Sequence, residues 1–243
     1  MHAVILGSLS AIADSTVRLL ADAGWSFDLF ARSGNELERQ VADLRARGTQ
    51  AFGHTVDLVT SDAVAKLASV LASRPPDLVL IAFGALGDTT TAAHDFGQAT
   101  RLWEVNFNAP ARLSLVAANA LERNDRGVLA VIGSVAGDRG RQSNYIYGAG
   151  KAGLETLIEG LAHRLSRAGR AKAVLIKPGL VRTPMTDGMN TNGPLWSSPD
   201  AVARRIVSAV AKPGVVTYAP GYWKLVMRVI RAMPYSLLHR TAL

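Results

Sequence analysis

The sequence predicts a single α/β unit: a Rossmann-type, doubly wound parallel sheet of about seven strands with helices on both faces. Apolar runs of strand length alternate with amphipathic stretches along the 243 residues, which is the pattern of a buried parallel sheet. A glycine turn at Gly7 joins the first apolar run to the first amphipathic stretch. No linker-like segment divides the chain into separate globular domains.

Composition narrows the possible classes of protein. The chain has no cysteine, and its five histidines lack the spacing of metal ligands, so we expect neither disulfides nor a metal site. The first predicted strand begins at residue 3, and no apolar run approaches the ~20 residues of a membrane span, so we expect a cytoplasmic protein without a signal peptide. The net charge of +8 fits a soluble basic protein, a phosphorylated cofactor, an anionic substrate or a membrane surface. No nucleic-acid-binding motif accompanies this charge, so we expect no nucleic-acid partner.

The elements follow in order along the chain. Apolar runs predict strands near residues 3–7, 26–31, 50–55, 77–83, 127–133, 172–177 and 215–219. Amphipathic periodicity predicts helices near residues 11–23, 34–47, 61–72, 95–123, 144–168 and 199–211. The last of these helices has a clear start, because Ser198 can cap it, Pro199 fits its first position and Asp200 suits its first turn. The irregular segment 183–198 is predicted to be a mobile substrate lid.

Three residues near the fifth predicted strand can converge on one carbonyl group. Ser134 follows the apolar run 128–132, and reactive groups of open α/β sheets lie at the carboxyl ends of the strands. Tyr147 and Lys151 are four residues apart and therefore share one helix face, whereas Tyr145 has no lysine four positions later. The ammonium should lower the pKa of the Tyr147 phenol from about 10 towards the working pH. A phenol tuned in this way can donate or accept a proton.

The order of these residues resembles that of the short-chain dehydrogenase/reductase family over nearly the whole chain. The matching positions are Gly7, Asn106, Ser134, Tyr147, Lys151 and Pro178-Gly179. The resemblance implies an NAD(P)-dependent oxidoreductase that interconverts a carbonyl and a secondary alcohol. In this scheme Ser134 stabilises the carbonyl oxygen, Tyr147 donates the proton, and Lys151 lowers the pKa of Tyr147 and binds the nicotinamide ribose. Asn106 would hold a helix kink and a water that relays protons to Lys151. The structural alternatives are a strand-end cap for Ser134 and a buried structural role for Asn106.

The same resemblance implies which residues contact the cofactor. The turn at Gly7 opens a helix, where backbone N–H groups can face a pyrophosphate. The implied contacts are Gly7, Ser8, Ser10, Ala11, Ile12, Arg32, Asp57, Leu58, Ala82, Phe83, Gly84, Tyr147, Lys151, Pro178, Gly179, Val181 and Thr183. Two of them have simpler alternatives, because Asp57 and Thr183 can each cap a local turn.

Departures from the family pattern bear on the cofactor. Alanine occupies positions 11 and 13, where the family has glycine, and the segment 81–84 lacks the usual pair of asparagines. The second strand ends at Ala31, with no acid for the ribose 2′-hydroxyl, and the adjacent Arg32 suits a 2′-phosphate. We therefore predict NADP as the cofactor, with NADPH preferred and NADH as the alternative. The simpler interpretation of Arg32 is a solvated residue at a helix start.

Several short motifs resemble one branch of the family, the decaprenylphosphoryl-2-keto-ribose 2-reductases. They lie at residues 81–88, 145–153, 218–220 and 227–234. This resemblance implies reduction of the 2-keto group of a polyprenyl-phosphate-linked pentofuranose for cell-wall arabinan synthesis, with a flavin-dependent oxidase as functional partner. The family resemblance also implies a homodimer or homotetramer that associates through the helices near 95–123 and 144–168. The alternatives are a soluble reductase of another small ketone or alcohol and a non-catalytic nucleotide-binding protein.

We divide the chain into a short-chain dehydrogenase/reductase Rossmann domain, residues 1–220, and a basic amphipathic tail, residues 221–243. The basic residues of a helix predicted over 222–233 share one face, at Lys224, Arg228 and Arg231. Tyr222 and Trp223 at its start are residue types that favour a membrane–water interface. The tail is therefore predicted either to lie on an anionic membrane surface or to pack on its own or a partner subunit.

Overall fold

The computed structural model describes residues 1–241, and its centre is a parallel sheet of seven strands. The described strands are β1 (His2–Leu6), β2 (Ser26–Ala31), β3 (Ala51–Thr55), β4 (Leu78–Ile81), β5 (Val128–Ile132), β6 (Lys172–Pro178), β7 (Leu180–Val181), β8 (Trp196–Ser197) and β9 (Val216–Ala219). The order in the main sheet is β3-β2-β1-β4-β5-β6-β9, and β7 pairs with β8 in a separate small sheet. The predicted α/β fold is confirmed.

Helices cover both faces of the sheet. They are α1 (Ala11–Asp22), α2 (Gly34–Ala46), α3 (Ser61–Ser73), α4 (Thr89–Ala92), α5 (Phe96–Trp103), α6 (Ala109–Arg123), α7 (Tyr145–Ala168), α8 (Pro199–Ala211), α9 (Trp223–Ala232) and α10 (Tyr235–Leu238). Helices α1, α2 and α8 pack on one face, and α3, α6 and α7 pack on the other. Successive strand side chains point to opposite faces, so Ile5 of β1 lies in one core cluster and Leu6 in the other.

The strand order reverses at β1, which lies between β2 and β4. Leu6 at the end of β1 is in register with Phe30 of β2 and Ile81 of β4. In open α/β sheets ligands bind at the carboxyl ends of the strands beside such a reversal. The loops that follow these strands contain many of the predicted cofactor residues.

Most predicted boundaries agree with the structure to within one or two residues, and α8 begins and ends as predicted, with Ser198 capping it. Two elements differ. The fourth strand, predicted over 77–83, is shortened to Leu78–Ile81. The helix predicted over 95–123 is interrupted, because a π-helical turn at Glu104–Asn108 separates α5 from α6. Within the predicted lid, residues 183–198, the structure contains a 3₁₀ turn at Pro184–Thr186 and strand β8.

Helix α9 of the tail packs on the rest of the chain through one face. Trp223, Met227 and Ile230 are buried in a cluster with Val135, which follows the end of β5. Arg139 donates hydrogen bonds from its Nη1 to the carbonyl oxygens of residues 230 and 231 at the end of the helix. The interpretation of Trp223 as a membrane-interface residue is therefore wrong, since its indole lies inside the subunit. The final two residues of the predicted tail, 242 and 243, lie outside the described residues.

The opposite face of α9 is solvent-exposed. It carries the predicted cations, Lys224, Arg228 and Arg231, together with the apolar residues Leu225 and Val229. Among the described residues, no helix combines the length and the hydrophobicity needed to cross a bilayer.

Candidate active site

Ser134 lies two residues beyond the end of β5, near the strand end where it was predicted. It begins the 3₁₀ turn Val135–Gly137, and its hydroxyl accepts a hydrogen bond from the Ala136 N–H at 3.1 Å. Its own N–H donates to Glu155 Oε1 at 3.1 Å. The serine hydroxyl therefore caps this turn as an acceptor, and its proton points to the neighbouring Tyr147 oxygen, where a substrate carbonyl could also accept it.

Tyr147 and Lys151 lie one turn apart near the start of α7, and both side chains are buried. The Lys151 Nζ atom lies 5.8 Å from the Tyr147 ring centroid and donates to the Ile132 carbonyl oxygen at 3.0 Å. Burial raises the pKa of Tyr147 to about 12, and the hydrogen bond with Ser134 only partly opposes this. The prediction of a lowered tyrosine pKa is therefore wrong, because desolvation of the phenolate dominates and the ammonium bonds to a main-chain carbonyl.

Burial acts on the lysine in the opposite direction. It lowers the pKa of the Lys151 ammonium to about 8, and the negative charge of Glu155 opposes the fall. At neutral pH the tyrosine is thus fully protonated, whereas the lysine is mostly charged and titrates about one pH unit above neutrality. A neutral phenol is the form required of a proton donor, and the nearby lysine can exchange a proton at working pH.

Asn106 lies in the π-helical turn and is completely buried. Its Nδ2 donates to the carbonyl oxygens of Ala85 at 2.7 Å and Leu102 at 2.9 Å, and its Oδ1 accepts from the Ala85 N–H at 3.2 Å. The side chain therefore ties the irregular helix to the loop after β4. The π-helical turn agrees with the predicted distortion of the helix. The hydrogen bonds of Asn106 also agree with the alternative interpretation, a buried structural role.

Gly84 brings Asn106 and Lys151 together at the end of β4. A Cβ atom at Gly84 would lie 2.8 Å from Asn106 Oδ1 and 3.5 Å from Lys151 Nζ. Any larger residue would therefore separate the asparagine from the lysine. The neighbouring Ala82 extends the β4 hydrogen bonding by donating its N–H to the Leu6 carbonyl oxygen at 2.9 Å.

The turn after β1 has a shape suited to a phosphate group. Gly7 adopts a φ of 84°, which disfavours any side chain, and a Cβ atom there would lie 2.8 Å from the Cβ of Phe83. The Gly7 and Ser8 N–H groups both donate to the Phe30 carbonyl oxygen, at 2.9 and 3.1 Å. The buried Ser8 hydroxyl has no hydrogen-bond partner within the described residues. An unpaired polar atom beside this turn is consistent with a polar ligand.

The N-terminus of α1 faces the same turn. Ser10 caps the helix, and its hydroxyl accepts from the Ala13 N–H at 3.3 Å. Ala11 and Ile12 begin the helix, so their N–H groups have no acceptor inside it. Free N–H groups at the positive end of a helix favour an anion, so these residues fit the pyrophosphate of a dinucleotide.

The adenosine end of the crevice would lie beyond β2 and β3. Arg32 is exposed directly after Ala31 at the end of β2. Asp57 Oδ1 accepts from the Val59 N–H at 3.3 Å, which matches the alternative interpretation of Asp57 as a turn cap. The Leu58 side chain is buried in the core, so only its main chain can face a ligand.

The segment that follows β6 packs against helix α9 of the tail. Pro178 ends β6, and Gly179 donates its N–H to the Ala219 carbonyl oxygen at 3.2 Å. A Cβ atom at Gly179 would lie only 1.8 Å from Trp223 Nε1. Glycine is therefore required here by the indole of α9, an explanation that the sequence motif alone does not reveal.

The remaining predicted residues of this segment have local structural roles. Val181 is buried in β7. Thr183 donates its N–H to the Thr186 hydroxyl at 3.1 Å, at the start of the Pro184–Thr186 turn. Thr183 therefore caps this turn through its main-chain N–H group, in agreement with the alternative interpretation.

A family model described as short chain dehydrogenase matches residues 1–193. The chain belongs to the short-chain dehydrogenase family. It is 35% identical over 241 residues to an uncharacterized oxidoreductase of Mycobacterium tuberculosis, covering 98% of this chain and 95% of that protein. An uncharacterized oxidoreductase of Streptomyces coelicolor is 31% identical over 239 residues, covering 98% and 94%. This short-chain dehydrogenase is therefore an NAD(P)-dependent oxidoreductase.

Solved structures agree on the fold. A short-chain dehydrogenase from Sphingobium yanoikuyae in complex with NADPH superimposes with a TM-score of 0.81 at 22% identity, covering 97% of this chain and 98% of that chain. The bulky-bulky ketone specific alcohol dehydrogenase of Comamonas testosteroni gives a TM-score of 0.81 at 20% identity, covering 99% and 94%.

Sequence reasoning does not identify two buried charged residues of this short-chain dehydrogenase that lie beside the site, Glu155 and Lys177. Glu155 continues the four-residue spacing of Tyr147 and Lys151 along α7, and its carboxylate bonds to the Ser134 N–H. Lys177 interrupts the apolar sequence of β6 and donates to Glu155 Oε2 at 2.7 Å. Both signals are visible in the sequence, as a continued helical spacing and as a lone charge in a buried strand.

Proposed function

We propose that this short-chain dehydrogenase reduces a ketone to a secondary alcohol with NADPH. The observation that carries the proposal is the pair of hydroxyls, Ser134 and Tyr147, at the carboxyl end of the sheet, with the phenol held protonated by burial. When bound, NADPH would supply the hydride that the carbonyl carbon accepts. Tyr147 gives its phenolic proton to the carbonyl oxygen, so the ketone gains both hydrogens of the alcohol.

The other residues support that transfer. Ser134 donates its hydroxyl proton in a hydrogen bond to the carbonyl oxygen and stabilises the negative charge that develops there. Lys151, with a pKa of about 8, returns a proton towards Tyr147 after each turnover and binds the nicotinamide ribose hydroxyls. Asn106 holds the loop after β4 and thereby sets the position of Lys151. A water-mediated proton relay through Asn106 is part of the same proposal.

NADP is the proposed cofactor form. Ala31 supplies no carboxylate at the end of β2, and the exposed Arg32 can form a charge-assisted bond to a 2′-phosphate. The Sphingobium yanoikuyae protein, which has the same fold, is in complex with NADPH. The proposed contacts comprise the turn at residues 7–12, Arg32, the loops after β3 and β4, and residues 178–183.

The proposed substrate is the 2-keto group of a polyprenyl-phosphate-linked pentofuranose, which would place the protein in the synthesis of an arabinose donor lipid for cell-wall arabinan. Its support is the resemblance of residues 81–88, 145–153, 218–220 and 227–234 to reductases of such keto-lipids. A flavin-dependent sugar-lipid oxidase would then supply the ketone. The second candidate is a small soluble ketone, which the same catalytic residues could reduce.

The substrate experiment is an NADPH oxidation assay with three carbonyl compounds. These are the long-chain keto-lipid, the same keto-sugar phosphate on a short chain, and a simple aromatic ketone. The proposal expects the highest kcat/KM with the keto-lipids. Reduction of the simple ketone alone would favour the second candidate, and tight NADPH binding without turnover of any ketone would favour a non-catalytic role.

We propose a cytoplasmic protein that contacts the membrane surface, because the polyprenyl chain of its proposed substrate stays in the bilayer. The exposed face of α9 combines Lys224, Arg228 and Arg231 with the apolar Leu225 and Val229, a pattern that suits an anionic lipid surface. The packed face keeps the helix attached to the subunit, so Trp223 has no part in this contact.

We also propose a homodimer or homotetramer formed through α5, α6 and α7.

The membrane proposal has its own test. A Leu225→Ser, Val229→Ser double variant should lose co-sedimentation with anionic vesicles at low salt and keep its thermal stability, because both side chains are mainly exposed. Val215→Ser, at an exposed apolar residue outside the tail, is the matched control and should bind vesicles normally. Failure of the full-length protein to bind vesicles would reject membrane contact and leave the reductase proposal intact.

A further inference from the structure

A buried ion network lies behind the catalytic residues. Lys177 donates to Glu155 Oε2 at 2.7 Å and also to the Asp138 carboxylate, and Tyr218 of β9 donates its hydroxyl to Asp138 Oδ2 at 3.0 Å. Glu155 and Lys177 are only 5% and 4% exposed. We call these four residues the Glu155 network. It connects α7, β6, β9 and the turn after β5.

Two glycines make room for the glutamate. A Cβ atom at Gly137 would lie 2.6 Å from Glu155 Cδ, and one at Gly133 would lie 3.0 Å from Glu155 Oε1. The carboxylate therefore lies directly against the main chain that carries Ser134. Its Oε1 accepts from the Ser134 N–H at 3.1 Å, so one oxygen holds the serine segment while the other bonds to Lys177.

Stability alone gives a weak reason for this arrangement. Desolvation of two buried charges usually cancels most of their attraction, and an apolar pair of similar size is often as stable. Position gives a stronger reason, because Tyr147, Lys151 and Glu155 follow one another at four-residue intervals along α7. The charged and titratable groups that face Glu155 are these two residues, Lys177 of β6 and Asp138 of the turn.

We propose that Glu155 is a positioning residue of the reduction: held by Lys177, its carboxylate fixes the Ser134 main chain and keeps a negative charge behind Tyr147 and Lys151. This role rests on the proposed function. Burial raises the pKa of the Glu155 carboxyl, whereas the contacts with Lys177 and with the Ser134 N–H oppose this rise and favour the charged form. In that form Glu155 raises the pKa values of both Tyr147 and Lys151, so it favours the neutral phenol and the charged ammonium. Those are the protonation states that donate a proton to the ketone and then replace it.

The decisive test measures the titration of Lys151 in the free protein by NMR of ¹³Cε-labelled lysine, with the signal assigned by its loss in Lys151→Met. The wild-type midpoint should lie at about 8. Glu155→Gln keeps an oxygen for the Ser134 N–H but removes the charge, and should lower the midpoint by about one pH unit. Glu159→Gln removes the same charge from an exposed position one turn further along α7 and should leave the midpoint unchanged.

A folded Glu155→Gln variant with the wild-type midpoint would overturn the proposal. If this variant does not fold, Glu155→Gln combined with Lys177→Met and Asp138→Asn removes all three charges of the network and should fold with the same lowered midpoint. Failure of the triple variant to fold would assign the network to stability and would also overturn the proposal.

A kinetic measurement separates this inference from the proposed function. With a ketone that the enzyme reduces, Glu155→Gln should move the alkaline limb of the kcat profile to lower pH, whereas a purely structural residue would leave the profile of the folded enzyme unchanged. A shifted Lys151 midpoint in a protein that reduces no ketone would reject the proposed function. The same result would leave the electrostatic effect of Glu155 established but its role in a reduction refuted.

Discussion

Replacing the buried lysine should stabilise the free protein while abolishing its activity. Lys151 is only 3% exposed, and its pKa is lowered from 10.5 to about 8. Each pKa unit corresponds to about 1.4 kcal/mol, so the charged ammonium destabilises the folded protein by about 3 kcal/mol at pH 6. Lys151→Met removes this cost but also the hydrogen bond to the Ile132 carbonyl oxygen, which is worth about 1 kcal/mol. The expected net gain at pH 6 is about 2 kcal/mol.

The pH dependence has a definite sign. Between about 8 and 10.5 the unfolded chain binds a proton at residue 151 that the folded protein does not, so wild-type stability gains from rising pH in this window. The advantage of Lys151→Met is therefore largest below pH 8 and disappears as the pH approaches 10.5. This dependence distinguishes relief of a buried charge from a general improvement in packing.

Urea unfolding at pH 6, 8 and 10 measures these differences directly. Lys66→Met, which changes an exposed lysine of α3, is the matched control and should alter stability little at any pH. A Lys151→Met variant that is less stable than wild type at pH 6 would refute the reasoning. A stability difference that does not change with pH would refute it equally.

Two further predictions concern the cofactor site and the tail. Arg32→Ala should reduce the preference for NADPH over NADH by about 10- to 150-fold, because a charge-assisted bond to phosphate is worth about 1.5–3 kcal/mol. Fluorescence titration with both cofactors measures this preference, and equal affinities in the wild type would contradict the prediction. Gly179→Ala should displace the Trp223 indole and lower stability by about 1–3 kcal/mol in urea unfolding, whereas Gly221→Ala, where a Cβ meets no neighbour within 4 Å, should be nearly neutral. Equal stabilities of the two alanine variants would contradict the proposed packing of α9.

Local sequence patterns were sufficient for the sheet and for most of the helices. A buried parallel strand requires a continuous apolar run, and a helix start such as Ser198-Pro199-Asp200 is specified by its own residues. The π-helical turn at Glu104–Asn108 was not predictable in this way, because a single extra residue per turn leaves no mark on composition. The π-helical turn depends on a tertiary contact, because Asn106 donates a hydrogen bond to the Ala85 carbonyl oxygen in the loop after β4.

The identities of the candidate catalytic residues were predictable, but their electrostatics were not. Spacing places Tyr147 and Lys151 on one helix face. It does not show how deeply either side chain is buried or which atom accepts the hydrogen bond of the lysine ammonium. In the structure that atom is the Ile132 carbonyl oxygen, and desolvation governs both pKa values. Trp223 illustrates the same limit, because an amphipathic pattern identifies two faces of α9 without telling which of them meets the protein.

The central claim is that Tyr147 donates the proton that completes reduction of a ketone. Single-turnover oxidation of NADPH by Tyr147→Phe tests it most directly, with Tyr145→Phe, at an exposed tyrosine two residues earlier, as the matched control. The expected result is a rate loss of about 10²–10⁴-fold for Tyr147→Phe, with NADPH affinity and folding retained, and a wild-type rate for Tyr145→Phe. A folded Tyr147→Phe variant that oxidises NADPH at nearly the wild-type rate would contradict the account.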